Sequence, residues 1–144
     1  QNQPEKTEEA SWYDDNGERW QRMGDIGRVD EDGFVTLLGR SKDMIISGGF
    51  NIYPRDLEDA LLRQPEVVDA AVIGITSKEW GETPLGFVVA ADGKALDLAA
   101  VCARANAELG KTQRISALRQ LDELPRSHIG KILKTALREQ VAET

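Results

Sequence analysis

At 144 residues, 40% apolar and 30% charged, the chain has the size and composition of an ordinary globular domain with a proper core. A formal net charge of −7 and the lack of an extended basic and aromatic surface argue against a nucleic-acid partner, and no apolar run approaches the ~20 residues of a membrane span. The single cysteine, Cys102, excludes a disulfide framework or a cysteine-built zinc site and reads as a small buried apolar residue.

The first nine residues are polar and acidic, with no charged-then-apolar secretory pattern, and the chain opens on Gln1 rather than Met. It is therefore expected to be a piece of a longer, cytoplasmic protein. Residues 1–33 hold ten acids against four bases, so most of the net charge lies there. Trp12, Tyr13 and Trp20 flank a turn at Asp14-Asp15-Asn16-Gly17, which predicts a loop or short extended segment over residues 1–23. Residues 27–38 alternate around Asp30-Glu31-Asp32-Gly33 and predict a hairpin. Calcium binding by its acids is rejected, because EF-hand spacing requires an acid where Arg28 stands.

Two short β-prone runs, 44–46 and 50–53, are separated by Ser47-Gly48-Gly49, where only glycine enters positive φ without steric cost. Pro54 sits where a helix begins, and a helix over 54–63 should bury Leu57, Ala60 and Leu61. Runs 67–75 and 85–91 predict strands joined by 76–84, and residues 69–74 are apolar on both faces, as a central strand is. Asp97 can cap a helix over 98–109 with Ala100, Val101, Ala105 and Leu109 inward, stopped by Gly110. A third strand over 115–121 and a last helix over 131–140, burying Ile132, Leu133, Ala136 and Leu137, complete the pattern. The order αββαβα predicts an α+β fold: a small open sheet of about three strands covered by helices in two layers, preceded by N-terminal hairpins.

Between residues 124 and 138 there are four bases (Arg126, Lys131, Lys134 and Arg138) and no acid. Such an island suits a solvated helix face or contact with an anion. Lys131 at a predicted helix start is disfavoured by the helix dipole, which points to a lysine kept free to reach an anion. A phosphate-cradling loop is rejected by spacing. Gly130-Lys131 is followed by Ile132, with Pro125 where that loop needs Gly, and Gly110-Lys111-Thr112 has Ala105 in place of the first Gly. His128 has no partner for a triad or metal site and receives no role.

Taken together, Gly24-Asp25-Ile26-Gly27, Asp32-Gly33, Gly39-Arg40-Ser41-Lys42-Asp43, Gly49-Phe50-Asn51-Ile52-Tyr53-Pro54 and Glu58 resemble the junction of the adenylate-forming superfamily, which holds acyl-CoA synthetases and adenylation domains. So many fixed spacings within about 35 residues leave little room for chance. Pro125-Arg126-Ser127-His128-Ile129-Gly130-Lys131 resembles the C-terminal signature of the same family, so the likeness runs from residue 24 to about residue 138.

The resemblance implies that residues 1–41 are the tail of a missing N-terminal adenylation domain with a linker hairpin. Residues 42–144 are then the C-terminal mobile lid. It implies an acid–thiol ligase, an AMP-forming acyl-CoA synthetase that makes an acyl-adenylate from a carboxylate and ATP and then passes the acyl group to CoA. Lys131 matches the family's catalytic lysine, Asp25 and Arg40 the nucleotide-binding pair, and Lys42 the hinge, where many members have Asp. Ser47, Gly48 and Gly49 match the hairpin lining the pantetheine tunnel. Trp80, in Trp80-Gly81-Glu82, lies near the nucleotide end of CoA in the family, as an adenine-stacking or a structural residue. One departure is that Thr112-Gln113-Arg114-Ile115 stands where many relatives have Tyr/Phe-Lys-x-Pro, leaving Lys111 and Arg114 to meet CoA phosphates.

The implied ligands are ATP, CoA, a fatty or aromatic acid, and Mg2+ held mainly by the missing domain, with no metal site in this chain. The implied partners are the N-terminal domain and a lysine acetyltransferase and deacetylase acting on Lys131. The fragment alone is expected to be inactive. The alternatives are an adenylation domain loading a carrier protein, or a stand-alone non-catalytic module derived from the lid.

Overall fold

The computed structural model describes residues 8–143. Of the acidic opening read over residues 1–9, residues 1–7 lie outside the described residues. The chain divides after Lys42 into two compact units. In the first, β1 (Ser11–Tyr13) and β2 (Arg19–Gln21) form an antiparallel hairpin where a loop or short extended segment was expected. Trp12 and Trp20 are directly opposed, with ring centroids 6.2 Å apart, and cross-strand aromatic pairs of this kind stabilise isolated hairpins. The Trp20 indole donates to Asp14, whose other oxygen accepts the backbone N–H groups of Asn16 and Glu18; these bonds, the indole's first, hold the Asp14 carboxyl below its usual range. A second hairpin pairs β3 (Asp25–Val29) with β4 (Val35–Arg40).

The second unit is built on the long antiparallel hairpin of β7 (Val67–Ser77) and β8 (Gly81–Ala90). Ser77 opposes Gly81 across a three-residue loop, and Gly81 takes φ +78°, as the bulge position of such loops requires. β8 is the central strand. Its other edge is shared by β5 (Ile45–Ser47), which meets it at Ser47–Gly81 and pairs with β6 (Phe50–Ile52), and by β9 (Ala117–Gln120), which runs parallel to it from Leu85 to Val88. The three expected strands thus form the body of the sheet, and the glycine hairpin extends it to five.

Where two layers were expected, helices cover both faces of the sheet. β7 and β8 place apolar side chains on each side, and two separate cores result. One packs α1 (Pro54–Leu62) and α2 (Leu98–Glu108) over Ala70, Val72 and Val88 through Leu57, Ala60, Leu61, Val101 and Ala105. The other packs α3 (Lys134–Ala142) over Ala71, Ile73, Leu85 and Phe87 through Leu137. Asp97 caps α2 by accepting from the Ala100 N–H at 3.1 Å. Cys102, on α2, is half-buried, and burial pushes its thiol pKa up, away from the thiolate form that reacts.

One helix boundary differs from expectation. α3 begins at Lys134, not Lys131, because Ile132 bridges back to Arg126 and the Leu133 N–H donates to the Pro125 carbonyl. Lys131 therefore sits in a loop before the helix, and the dipole argument does not apply to it. Leu133 becomes an exposed N-terminal cap position rather than a core residue.

A polar contact joins the two layers of helices across the free edge of β7. Glu58 on α1 accepts the Val72 N–H at 2.9 Å and pairs with Lys134 of α3 at 2.7 Å, both side chains being less than one-fifth exposed. Replacing Glu58 with Ala strands an edge N–H and an ammonium in largely dry surroundings, and should cost about 1–3 kcal/mol. Glu58→Gln, which keeps an acceptor for Val72, should cost less. Urea unfolding of the chain will show this as a lowered midpoint at unchanged slope; equal midpoints for Glu58→Ala and the parent sequence would remove the contact from any structural role.

Candidate functional site

The glycine hairpin and the β7–β8 loop build one wall of a cleft of about 390 Å3. On this side stand Ser47, Gly48, Phe50, Trp80 and Thr83; on the other, Lys111, Thr112, Arg114, Ile115 and Ser116. Gly48 takes φ +57° and donates its N–H to the Trp80 carbonyl at 2.9 Å. A Cβ there would lie 2.9 Å from the Trp80 ring, so the indole can rest against bare backbone only because residue 48 is glycine. Glu82 secures the wall by accepting the Ile46 N–H at 2.9 Å, which supplements the single Ser47–Gly81 register pair between β5 and β8.

The far wall is fixed by Asn106 of α2, whose amide accepts the Ile115 N–H at 2.8 Å and donates to the Ile115 carbonyl at 3.0 Å. Ser116 is pinned by its N–H and hydroxyl, both donating to the Pro84 carbonyl. Lys111 and Arg114 have no carboxylate partner among the described residues, so the cleft presents two uncompensated cations beside an exposed indole. An apolar wall and a cationic rim suit an anionic ligand with an apolar portion.

Ser47, Gly48, Trp80, Lys111 and Arg114 are thus brought together from three segments. Gly49 lies beside them at φ +83° but does not line the cleft. Phe50, Thr83 and Ser116 also line it and carried no sequence signal of their own. In the other unit, Asp25 and Arg40 oppose each other across β3 and β4 and form an ion pair at 3.4 Å. Lys42 is exposed in the one-turn 3-10 helix Ser41–Asp43, at the division between the units. The next residue, Asp43, accepts from Arg138 of α3 at 3.2 Å.

Lys131 is not at the cleft. It is exposed on a tight loop closed by the Ser127 N–H donating to the Lys131 carbonyl at 2.8 Å and the Lys131 N–H donating to Ser127 Oγ at 3.2 Å, with Gly130 at φ +84°. Its ammonium has no partner among the described residues. Arg126 donates to the Gly130 carbonyl at 2.7 Å and pairs with Asp69 at the start of β7, whereas the cleft lies at the other end of that strand, around Ser77 and Trp80. Eight residues of strand at ~3.3 Å each place the two regions roughly 26 Å apart. His128 is exposed on the same loop, and among the described residues no group of three or more His, Cys, Asp or Glu side chains is arranged to hold a metal ion.

The profile of the family described as AMP-binding enzyme C-terminal domain matches residues 56–131. The chain is 39% identical over 143 residues to long-chain-fatty-acid–CoA ligase FadD13 of Mycobacterium tuberculosis, covering 99% of this chain and 27% of that protein. It is 40% identical over 125 residues to 2-succinylbenzoate–CoA ligase of Geobacillus kaustophilus, covering 87% and 26% respectively. Among solved structures, ATP-bound MatB from Rhodopseudomonas palustris superposes with a TM-score of 0.81 at 38% identity, over 95% of this chain and 26% of that one. The chain spans about a quarter of the length of the curated relatives it matches. With the α+β architecture and the junction motifs already described, the match over more than half its length makes this chain a member of the AMP-binding enzyme C-terminal domain family, the C-terminal part of the adenylate-forming enzymes.

Proposed function

We propose that this chain is the C-terminal lid of an AMP-forming acyl-CoA synthetase, with residues 42–144 as the lid and residues 1–41 as the tail of the N-terminal adenylation domain. In the first half-reaction a carboxylate oxygen attacks the α-phosphorus of ATP, and the bond to pyrophosphate breaks. Lys131 carries this step. Two anions must touch, and an ammonium held between them stabilises the charge that develops as they do. Asp25 accepts hydrogen bonds from the ribose hydroxyls, and Arg40 reaches the ribose and phosphate region. In the second half-reaction the CoA sulfur attacks the acyl carbonyl and AMP leaves. The pantetheine arm passes along Ser47, Gly48 and Gly49, and the nucleotide end of CoA meets Trp80, Lys111 and Arg114.

The observation that carries this reading is the placement of the two functional regions at opposite ends of one stiff hairpin. An unpaired ammonium on a loop at the Asp69 end of β7 and a cationic cleft at its Ser77 end, with roughly 26 Å of strand between those ends, cannot serve the same reacting carbon in one pose. A body that turns about Lys42 can present first one end and then the other, which accounts for a division of the chain at that residue. The names of the similar proteins, a fatty-acid ligase and an aromatic-acid ligase among them, support a carboxylic acid as substrate and CoA as acceptor. Mg2+ would enter with the ATP phosphates; the described residues give it no site, so no step here depends on this chain holding it. A cytoplasmic location accords with the lone cysteine, and no helix among the described residues is long and apolar enough to cross a membrane. An acetyltransferase and deacetylase acting on Lys131 would switch the enzyme by removing and restoring its charge.

A pyrophosphate-exchange screen of fatty and aromatic acids with the full-length parent enzyme tests the reading. Lys131→Ala should lower exchange about 10²- to 10³-fold, and chemical acetylation of that lysine should do the same. Exchange at full speed in the variant would end the proposal, and the 144-residue chain alone should show none. Gly48→Ala should act on the other half-reaction. Its Cβ strains a positive φ and displaces the Trp80 ring, so transfer from preformed acyl-adenylate to CoA should fall about tenfold, while exchange is retained. Equal loss in both half-reactions would show that Gly48 serves folding rather than the thiol path.

A further inference from the structure

We propose that Arg126, braced by Asp69, is the positioning residue for Lys131. This rests on reading Lys131 as the catalytic lysine. The loop around Lys131 is closed on itself by Ser127 and by the Arg126–Ile132 bridge, and its flanks are anchored by Leu124, which is buried, and Ile132, which is half-buried. Those contacts hold the base of the loop. They do not fix the direction in which its tip projects from the sheet, where Ile129 is 69% exposed and Gly130 relies on positive φ. The guanidinium supplies the missing constraint. One nitrogen donates to the Gly130 carbonyl, the peptide group that leads directly into Lys131, and another donates to Asp69 Oδ2 on β7.

Asp69 is itself held ready. Its other oxygen accepts the Ala70 N–H at 3.0 Å, and its side chain is little more than a quarter exposed. The contact therefore runs from the sheet edge, through one carboxylate and one guanidinium, to the backbone of the catalytic loop. Arginine suits the task because its planar fork can satisfy two acceptors on different segments at a fixed angle, which a lysine ammonium on a flexible stem does not do. Lys131 has four carbons between backbone and charge, so a tilt of the Gly130–Lys131 peptide is magnified at the ammonium. A displacement of about 1 Å in a positioned catalytic group lowers rate by as much as about 10²-fold.

The test uses the full-length parent enzyme and measures each half-reaction separately. Arg126→Ala should lower the kcat of acyl-adenylate formation about 10- to 100-fold, while leaving thioester formation from supplied acyl-adenylate within about twofold. Arg126→Lys should recover part of the loss, and Asp69→Asn should show a smaller effect of the same kind. Because Arg126 acts through Lys131, the double variant Arg126→Ala/Lys131→Ala should be no slower than Lys131→Ala alone. Lys94→Ala, which breaks an exposed ion pair with Asp92 at a turn, is the control and should leave both half-reactions intact. Equal falls in both half-reactions with a lowered Tm would reduce Arg126 to a folding role and overturn the proposal, as would losses that multiply in the double variant. If Lys131→Ala abolishes adenylation and Arg126→Ala does not affect it, this inference alone fails. If Lys131→Ala is itself silent, the functional reading fails with it.

Discussion

The second unit depends on what happens at the outer edge of β7. A strand covered on both faces but paired on one side only leaves N–H groups along its free edge that have no ladder partner. Glu58 resolves this by offering one carboxylate to the Val72 N–H from the α1 side, and the charge so placed is matched by Lys134 from the α3 side. A largely buried carboxylate without either partner would be strongly unfavourable, and a buried ammonium equally so. α1 and α3, on opposite faces of the sheet, are thereby fixed to each other as well as to it. Arg138, one turn further along α3, extends the same logic to Asp43 at the start of the unit.

That arrangement explains why the basic island around residues 124–138 divides into charges with different fates. Lys134, Arg138 and Arg126 each find a carboxylate, at Glu58, Asp43 and Asp69, and so act as struts. Lys131 finds none among the described residues. A free ammonium set among neutralised neighbours keeps its field undiluted for an incoming anion, whereas four unpaired cations would repel one another and loosen the loop. At the opposite end of the hairpin, Lys111 and Arg114 are likewise unpaired, while Arg63 and Arg104 on the helices beyond them are engaged with Glu108 and Glu66. Both regions to which the proposed mechanism assigns anionic ligands thus hold cations without a carboxylate partner among the described residues.

Much of this was legible in the chain itself. Pro54 at a helix start, Asp97 as a cap and the spacing of Leu57, Ala60 and Leu61 are local signals, and local signals located α1 and α2 to within a residue or two. What escaped the sequence were features set by tertiary pairing. Pro84 reads as a loop residue because proline lacks the N–H a ladder needs. In the structure its carbonyl, and hence its nitrogen, faces the gap on β8 between β5 and β9, so no ladder bond to β7 is lost and the strand runs straight through it. The Lys131 segment has helical apolar spacing, yet the Arg126–Ile132 bridge holds it in a loop, and nothing in the local pattern announces a bridge. Residues 69–74 carry the apolar signature of a central strand but form an edge, because helices on both faces impose the same pattern as flanking strands do. The candidate cleft was legible only as scattered family positions. Its convergence comes from the crossover through α2, which returns residues 111–116 to the glycine hairpin.

A stiff second unit is what the proposed rotation needs. If the unit flexed internally, a turn at Lys42 would be absorbed before it reached Lys131 or the Trp80 cleft, and neither end would arrive in register with its ligand. The hairpin of β7 and β8 resists such bending because β8 is supported along one side by β7 and on the other by β5 and β9 in succession. Asp43, the residue after the proposed pivot, is tied through Arg138 to α3, and α3 through Lys134 to α1. On the proposed mechanism, motion imposed at Lys42 would be passed to both faces of the sheet together, and the loop bearing Lys131 and the wall bearing Gly48 would move as parts of one body.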